Sequence, residues 1–302
     1  TEDAAPIEDF GNLHDLTHAG RIGNAVVVNG VYQTEDATFS VRSGERLRLR
    51  LVNAATARGF RLTFDNHSPR IIALDGQPVR PREPKNNAVI LAPSQRVDLI
   101  VDCMEQPGTT HTVQNDYYPR QTRPLLNLDY LDDTPIRTQP LETPIELVTN
   151  GLPEPDLAKV EKRRLVFEGG AMGGLREALV EGEPTELAVM VREHQLAWAI
   201  NGSASTDHHR RLFDFKLGGH YLLELVNDTR WDHPIHLHGH SFRIVRHNGA
   251  VAPHRVWRDT VLLRPNDRTE IAFVADNPGD WMLHCHVLAH QLGGMSGTIR
   301  VG

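Results

Sequence analysis

Long apolar runs are absent. Stretches such as Ala25–Val28 and Val97–Val101 fall far short of the roughly 20 residues that cross a bilayer as a helix, so no membrane span is expected. Cysteine is scarce: Cys103 and Cys285 are the two in 302 residues, too few for a disulfide framework. No sign of charge dominates, since 32 Lys and Arg stand against 39 Asp and Glu, a mild acidic excess that offers nothing to nucleic acid or anionic lipid. The chain opens at Thr1 with no initiator Met and no basic-then-apolar leader, so a secretory signal has either been removed or was never there. Helical periodicity is missing too. Many short strand-like segments punctuated by Gly, Pro and Asn point to an all-β chain of antiparallel sandwiches or barrels.

What is present is an internal repeat. VRSGERLRLRLVN (residues 41–53) places Leu47, Leu49 and Leu51 in alternation with Arg46, Arg48 and Arg50, the pattern of a half-buried strand with one polar face. About 174 positions later KLGGHYLLELVN (216–227) stands in the same surroundings, and an Asn-Gly turn precedes each, at Asn29-Gly30 and Asn201-Gly202. Leu91, Pro93 and Arg96 answer to Leu263, Pro265 and Arg268, and Pro107-Gly108 to Pro278-Gly279. Four markers in one order predict a duplicated unit: a first domain over residues 1–135, a Pro- and acid-rich linker over 136–159, and a second domain over 160–302.

Seventeen histidines are plentiful and concentrate between His208 and His290. Two segments hold the chemistry: DHPIHLHGHSF (232–242) and WMLHCHVLAHQLGGM (281–295). On a strand successive side chains face opposite ways, so His284 and His286 share one face and Cys285 projects from the other. A thiolate, two imidazoles and a weak axial thioether form the ligand set of a blue-copper site. Cys285, His290 and Met295 supply three of these, and parity assigns His233 as the fourth. His236 and His238 then join His284 and His286 at a second, all-imidazole site. Zinc also takes Cys and His, but it has no use for a Cys flanked by two outward-facing imidazoles.

These two motifs resemble the C-terminal copper signatures of multicopper oxidases, the family of laccases, ascorbate oxidase and cuprous oxidases. The resemblance implies two tandem cupredoxin-like Greek-key β-sandwiches, with residues 26–101 similar to the family's middle domain and 198–301 to its last. It implies type 1 copper on His233, Cys285 and His290 with Met295 axial, type 2 copper on His236, and type 3 copper on His238, His284 and His286. It implies oxidation of an organic or metal-ion reductant at type 1 copper near the surface beside His290, with dioxygen reduced to water at a trinuclear cluster. It also implies export to the periplasm or the cell exterior. Five scattered methionines form no Met-rich segment of the kind cuprous oxidases use, which favours organic donors.

The family completes its cluster with two His-x-His motifs of a first domain, and no His-x-His precedes His236 here. The chain is therefore expected to carry a complete type 1 site and partial type 2 and type 3 sites. The missing domain or another subunit would be needed as partner, and self-association through the exposed face is expected. Sliding the first unit onto the second sets Thr63, Asp65 and His67 at His236, His238 and His240, which marks His240 as structural. His14, His18, His67, His111, His208 and His209 read as isolated histidines, Cys103 as an inert thiol and Asp259 as a strand-end acceptor. Gln291 replaces an acid that assists proton delivery in some bacterial members. Two other readings remain: a copper nitrite reductase-like enzyme, against which the paired histidines around Cys285 count, and an electron carrier using the type 1 site alone.

Overall fold

In the computed structural model, residues 12–32, 38–142 and 145–302 are described. Contacts divide the chain into two compact units, one holding Gly23–Asn150 and the other Gly151–Gly302 with the described part of Glu8–Ile22. The stretch 136–159 is shared between them. Ile136 N–H donates to Ser43 O at 2.8 Å in the first unit, whereas Asp156 N–H donates to His220 Nδ1 at 2.9 Å in the second.

The two units share one strand order in their five-stranded sheets and in the core of the sheet packed with each, and the second unit adds strands of its own. In the first, a five-stranded sheet runs Thr38–Val41, Arg123–Tyr130, Thr110–Asn115, Phe60–Phe64, Ala88–Leu91, and a second sheet runs Glu45–Val52, Arg96–Cys103, Arg70–Leu74, Gln77–Arg82. The other unit has a five-stranded sheet in the same order: Arg211–Phe215, Ser296–Val301, Gly279–Cys285, His233–Leu237, Thr260–Leu263. Its larger sheet contains the series His220–Asp228, Arg268–Val274, Phe242–His247, Ala250–Val251. In each five-stranded sheet the first pair is parallel and the rest antiparallel.

The repeat reaches individual hydrogen bonds. Buried Asn53 donates through Nδ2 to Arg58 O (2.8 Å) and Leu91 O (3.0 Å), and its Oδ1 accepts from Ala55 N–H (2.9 Å). Buried Asn227 does the same with Trp231 O (2.7 Å), Leu263 O (3.1 Å) and Thr229 N–H (3.0 Å). Each clip satisfies backbone groups that would otherwise be buried without partners. Both predicted Asn-Gly turns are present with positive φ at all four residues, and each joins an antiparallel pair, which is where those residue types carry no steric cost. In Glu45–Val52 the burial alternates as expected, with Arg48 and Arg50 exposed. Arg46 reaches Asp102 through two 2.7 Å bonds.

Candidate metal centres

Strand register builds both centres. Ile235 pairs with Cys285 and His236 with His284, so His236 and His284 meet on one face while the face of Ile235 and Cys285 also receives His233, two residues from Ile235. The ladder continues past both strand ends: His286 N–H donates to Pro234 O (2.7 Å), and His238 N–H to Met282 O (2.9 Å).

On the inner face Cys285 Sγ lies 3.5 Å from His233 Nδ1 and 3.6 Å from His290 Nδ1, and the two Nδ1 atoms are 3.0 Å apart. Cys285, His233, His290 and Met295 are all 0% exposed. Among the described residues, His233, Cys285 and His290 are the grouping of three whose donor atoms all lie within 4.8 Å of one another. His290 arrives on the short helix Leu288–Leu292. Met295 is held by backbone bonds to both neighbours, its N–H donating to His290 O and its carbonyl accepting from Cys285 N–H, each at 3.0 Å.

The tautomer of His290 follows from its outer nitrogen. Nε2 lies 2.7 Å from His18 O, and a carbonyl only accepts, so Nε2 carries the hydrogen and Nδ1 presents its lone pair inward. Burial pushes the His290 imidazole down to about 3. Burial, then the neighbouring His290, pushes His233 well below its usual range. Burial also raises the Cys285 thiol. Crowded lone pairs and a buried thiol at 3.0 to 3.6 Å suit a bound soft cation, which would turn the thiol into a thiolate. The donor set fits copper.

The four other histidines come together on the opposite face. Ring centroids are 4.7 Å apart for His236 and His238, 5.2 Å for His238 and His284, 5.5 Å for His284 and His286, and 6.0 Å for His236 and His286. Outer nitrogens are again engaged. His284 Nδ1 donates to Cys285 O (2.9 Å) and His236 Nδ1 to Asp259 O (2.9 Å), leaving Nε2 of each for a ligand. His284 Nε2 in turn lies 3.1 Å from His238 Nε2. A cavity of about 580 Å³ opens beside this cluster, lined among others by His236, His238, His240, Trp257 and Asp259. Asp259 therefore contributes its backbone carbonyl to His236, and its carboxylate lies 3.6 Å from the same Nδ1.

Three supports lay outside the sequence reading. Trp198, 0% exposed, packs its ring 4.9 Å from His233 and 4.4 Å from His290 and donates Nε1–H to Leu16 O at 2.7 Å. Glycine is required around it: a Cβ on Gly170, at φ +70°, would stand 2.1 Å from the indole, and one on Gly294, at φ +110°, 2.5 Å from Trp198 O. The second support is the segment of helix α1 (Leu13–Thr17), which ends over His290. The third is Thr229, whose Oγ1 lies 2.9 Å from His233 Nε2. His290, expected near the surface, is enclosed because the backbone of Leu16 and His18 covers the indole and the imidazole edge. Among the other histidines, His67 is satisfied by Asp65 O (2.5 Å) and Tyr130 Oη (2.7 Å), and His240 packs at 6.0 Å from the Trp281 ring.

Keeping His233 and His290 neutral has a pH consequence. An unfolded imidazole titrates near about 6.5 and the folded ones are depressed, so below that value the unfolded chain binds more protons. The stability that neutral His290 gives the metal-free chain is complete above about pH 6.5 and is lost as pH falls toward about 3, by roughly 1.4 kcal/mol per pH unit, and His233 adds a loss of the same sign. Urea midpoints at pH 7.5 and 5.5 check this; equal midpoints would contradict it.

Comparison with known proteins agrees with this architecture. Two family models, each described as multicopper oxidase, match residues 5–153 and 181–302. The multicopper oxidase MmcO of Mycobacterium tuberculosis is 28% identical over 280 residues, covering 89% of this chain and 49% of that protein. A laccase of Neurospora crassa is 27% identical over 321 residues, covering 86% and 48%. The crystal structure of a multi-copper oxidase from Pseudomonas thermotolerans superposes with a TM-score of 0.78 at 28% identity, over 95% of this chain and 62% of that one. The chain thus spans about half the length of the curated relatives it matches. The fold is all-β and cupredoxin-like, as in those solved structures. No described helix is long and apolar enough to cross a membrane. With both units matched in order by models of one family, and with the clustered histidines and cysteine inside the second, the chain belongs to the multicopper oxidase family.

Proposed function

We propose that this chain is the part of a copper-dependent oxidase that holds the complete type 1 site and four of the histidines of a trinuclear cluster. The observation that carries the reading is the convergence of His233, Cys285 and His290 within 4.8 Å on the strand face opposite four further imidazoles. Bound copper supplies one-electron oxidation of a reductant at the thiolate site and reduction of dioxygen to water at the imidazole site.

The chain's own residues organise the rest. His233, Cys285 and His290, together with Met295, would hold type 1 copper, His236 type 2, and His238, His284 and His286 type 3. Full burial keeps water from the thiolate. Cys285 is joined by peptide bonds to His284 and His286, and its carbonyl accepts from His284 Nδ1 at 2.9 Å, so a continuous bonded route links the two sites. The α1 segment over His290 keeps a donor off the imidazole edge, so electrons enter across that strap. The cavity beside His236 and His238 gives dioxygen and protons access to the cluster. Gln291 cannot donate a proton as an acid would, which leaves Asp259, at the cavity wall, as the nearest carboxylate to His236. Completion of the cluster falls to histidines of another domain or subunit, and a small organic reductant is the favoured donor. Export is the matching location.

Copper loading tests this reading. The chain should retain about one tightly bound copper at Cys285 and, supplied with a reductant, take up no dioxygen by itself. A metal content of zero after dialysis, or an unchanged copper content in a folded Cys285→Ser chain, would sink it.

A further inference from the structure

We propose that Thr229 is a positioning residue that fixes the tautomer and orientation of His233, so that Nδ1 faces Cys285 with its lone pair free. The proposal rests on the metal reading of His233 given above.

The hydrogen-bond directions leave one assignment. Asn227 is 0% exposed. Its Nδ2 donates to the carbonyls of Trp231 and Leu263 and its Oδ1 accepts Thr229 N–H, so its amide cannot be flipped. Thr229 Oγ1 lies 2.7 Å from that same Oδ1. The amide oxygen only accepts, so at this distance the hydroxyl hydrogen points at Asn227 in preference to Trp231 O, 3.2 Å away. Oγ1 is then left with acceptor capacity only. It accepts Trp231 N–H at 3.1 Å and, at 2.9 Å, the hydrogen of His233 Nε2. With Nε2 protonated and the neutral ring enforced by burial, Nδ1 is bare. It points at His290 Nδ1 and Cys285 Sγ.

The first unit supplies an internal control. Its Asn53 makes the same three backbone contacts, so the clip itself is part of the scaffold. Where the second unit has Thr229 the first has Ala55, which matches in receiving the Asn Oδ1 on its backbone N–H. Where the second has His233 the first has Phe60, since both open the strand at the same place in the sheet. In the ladder Cys285 pairs with Ile235 as Asn115 pairs with Leu62. The hydroxyl thus occurs with the histidine and the cysteine and is absent with them. Fixing the tautomer through the outer nitrogen is a recurrent support of metal-bound histidine, and its loss commonly costs 10–100-fold in metal affinity.

The test uses the full chain and copper(I) as probe, in competition with a chromophoric chelator. Thr229→Val keeps the shape and removes the oxygen. It should weaken copper(I) binding about 10–100-fold and shift the visible band of the oxidised form, and Thr229→Ser should restore both. Thr229→Val with wild-type affinity and an unshifted band would overturn the proposal. Nitrogen-detected NMR of the metal-free wild-type chain decides it without any variant: hydrogen on His233 Nε2 is expected, and hydrogen on Nδ1 overturns it. A wild-type chain that binds no copper would defeat the metal reading alone, because the ring tautomer still decides the role of Thr229.

Discussion

Cys285→Ser leaves a folded chain with no blue absorption. The blue band requires charge transfer from a thiolate to copper, and a serine hydroxyl is a hard donor that does not replace it. The fold tolerates the change because Cys285 contributes little to packing that serine cannot occupy, and Val287 N–H, now 3.4 Å from Sγ, retains an acceptor. Cys103→Ser is the matched control. Cys103 is also fully buried, and burial raises its thiol, yet among the described residues it lies outside the grouping of His and Cys donor atoms, and its serine variant should leave the band unchanged. Visible spectra of the two copper-loaded variants check the pair, with circular dichroism to verify folding. A blue Cys285→Ser chain would remove Cys285 from the site.

Trp198→Ala should cost about 3–5 kcal/mol of stability, the usual range for deleting a large buried aromatic side chain, and should broaden or abolish the blue band together with it. Two effects combine. The indole fills space that Gly170 and Gly293 leave by having no Cβ, so a cavity remains when it goes, and the lost Nε1–H bond leaves Leu16 O without that partner. The same indole packs edge-on against His233 and tilted against His290, so its loss frees two imidazoles to turn. Trp198→Phe keeps most of the packing and loses the hydrogen bond, and should fall between. Urea unfolding measures the first effect and the spectrum the second; an alanine variant within 1 kcal/mol of wild type would show that the ring is not structural.

Much of this arrangement was legible in the sequence because strands have a period of two. That alone separates Cys285 from His284 and His286 and sends His233 to the other side from His236 and His238, and the structure brings each set together accordingly. The repeat was legible for a similar reason: Asn53 and Asn227 recur with backbone groups that their amides satisfy, and Asn29-Gly30 and Asn201-Gly202 recur in turns of positive φ that favour those residue types. The supports were not legible. Trp198 bonds to Leu16 across 182 positions and His290 to His18 across 272, and the group that His18 offers is its backbone carbonyl, which every residue possesses. Thr229 stands in NDTRWDH with no mark of its role until the direction of each hydrogen bond around Asn227 is known. The burial of His290 was missed on the same account, since a five-residue helix of ordinary composition is what covers it.

In the proposed type 1 site the Cys285 thiolate and the imidazoles of His233 and His290 hold one copper. The visible spectrum of the copper-loaded, oxidised chain, read beside its metal content, decides whether they do. An intense blue band with about one copper per chain is the predicted result. A chain that retains copper and stays colourless would contradict it, because the metal would then be bound without the sulfur of Cys285.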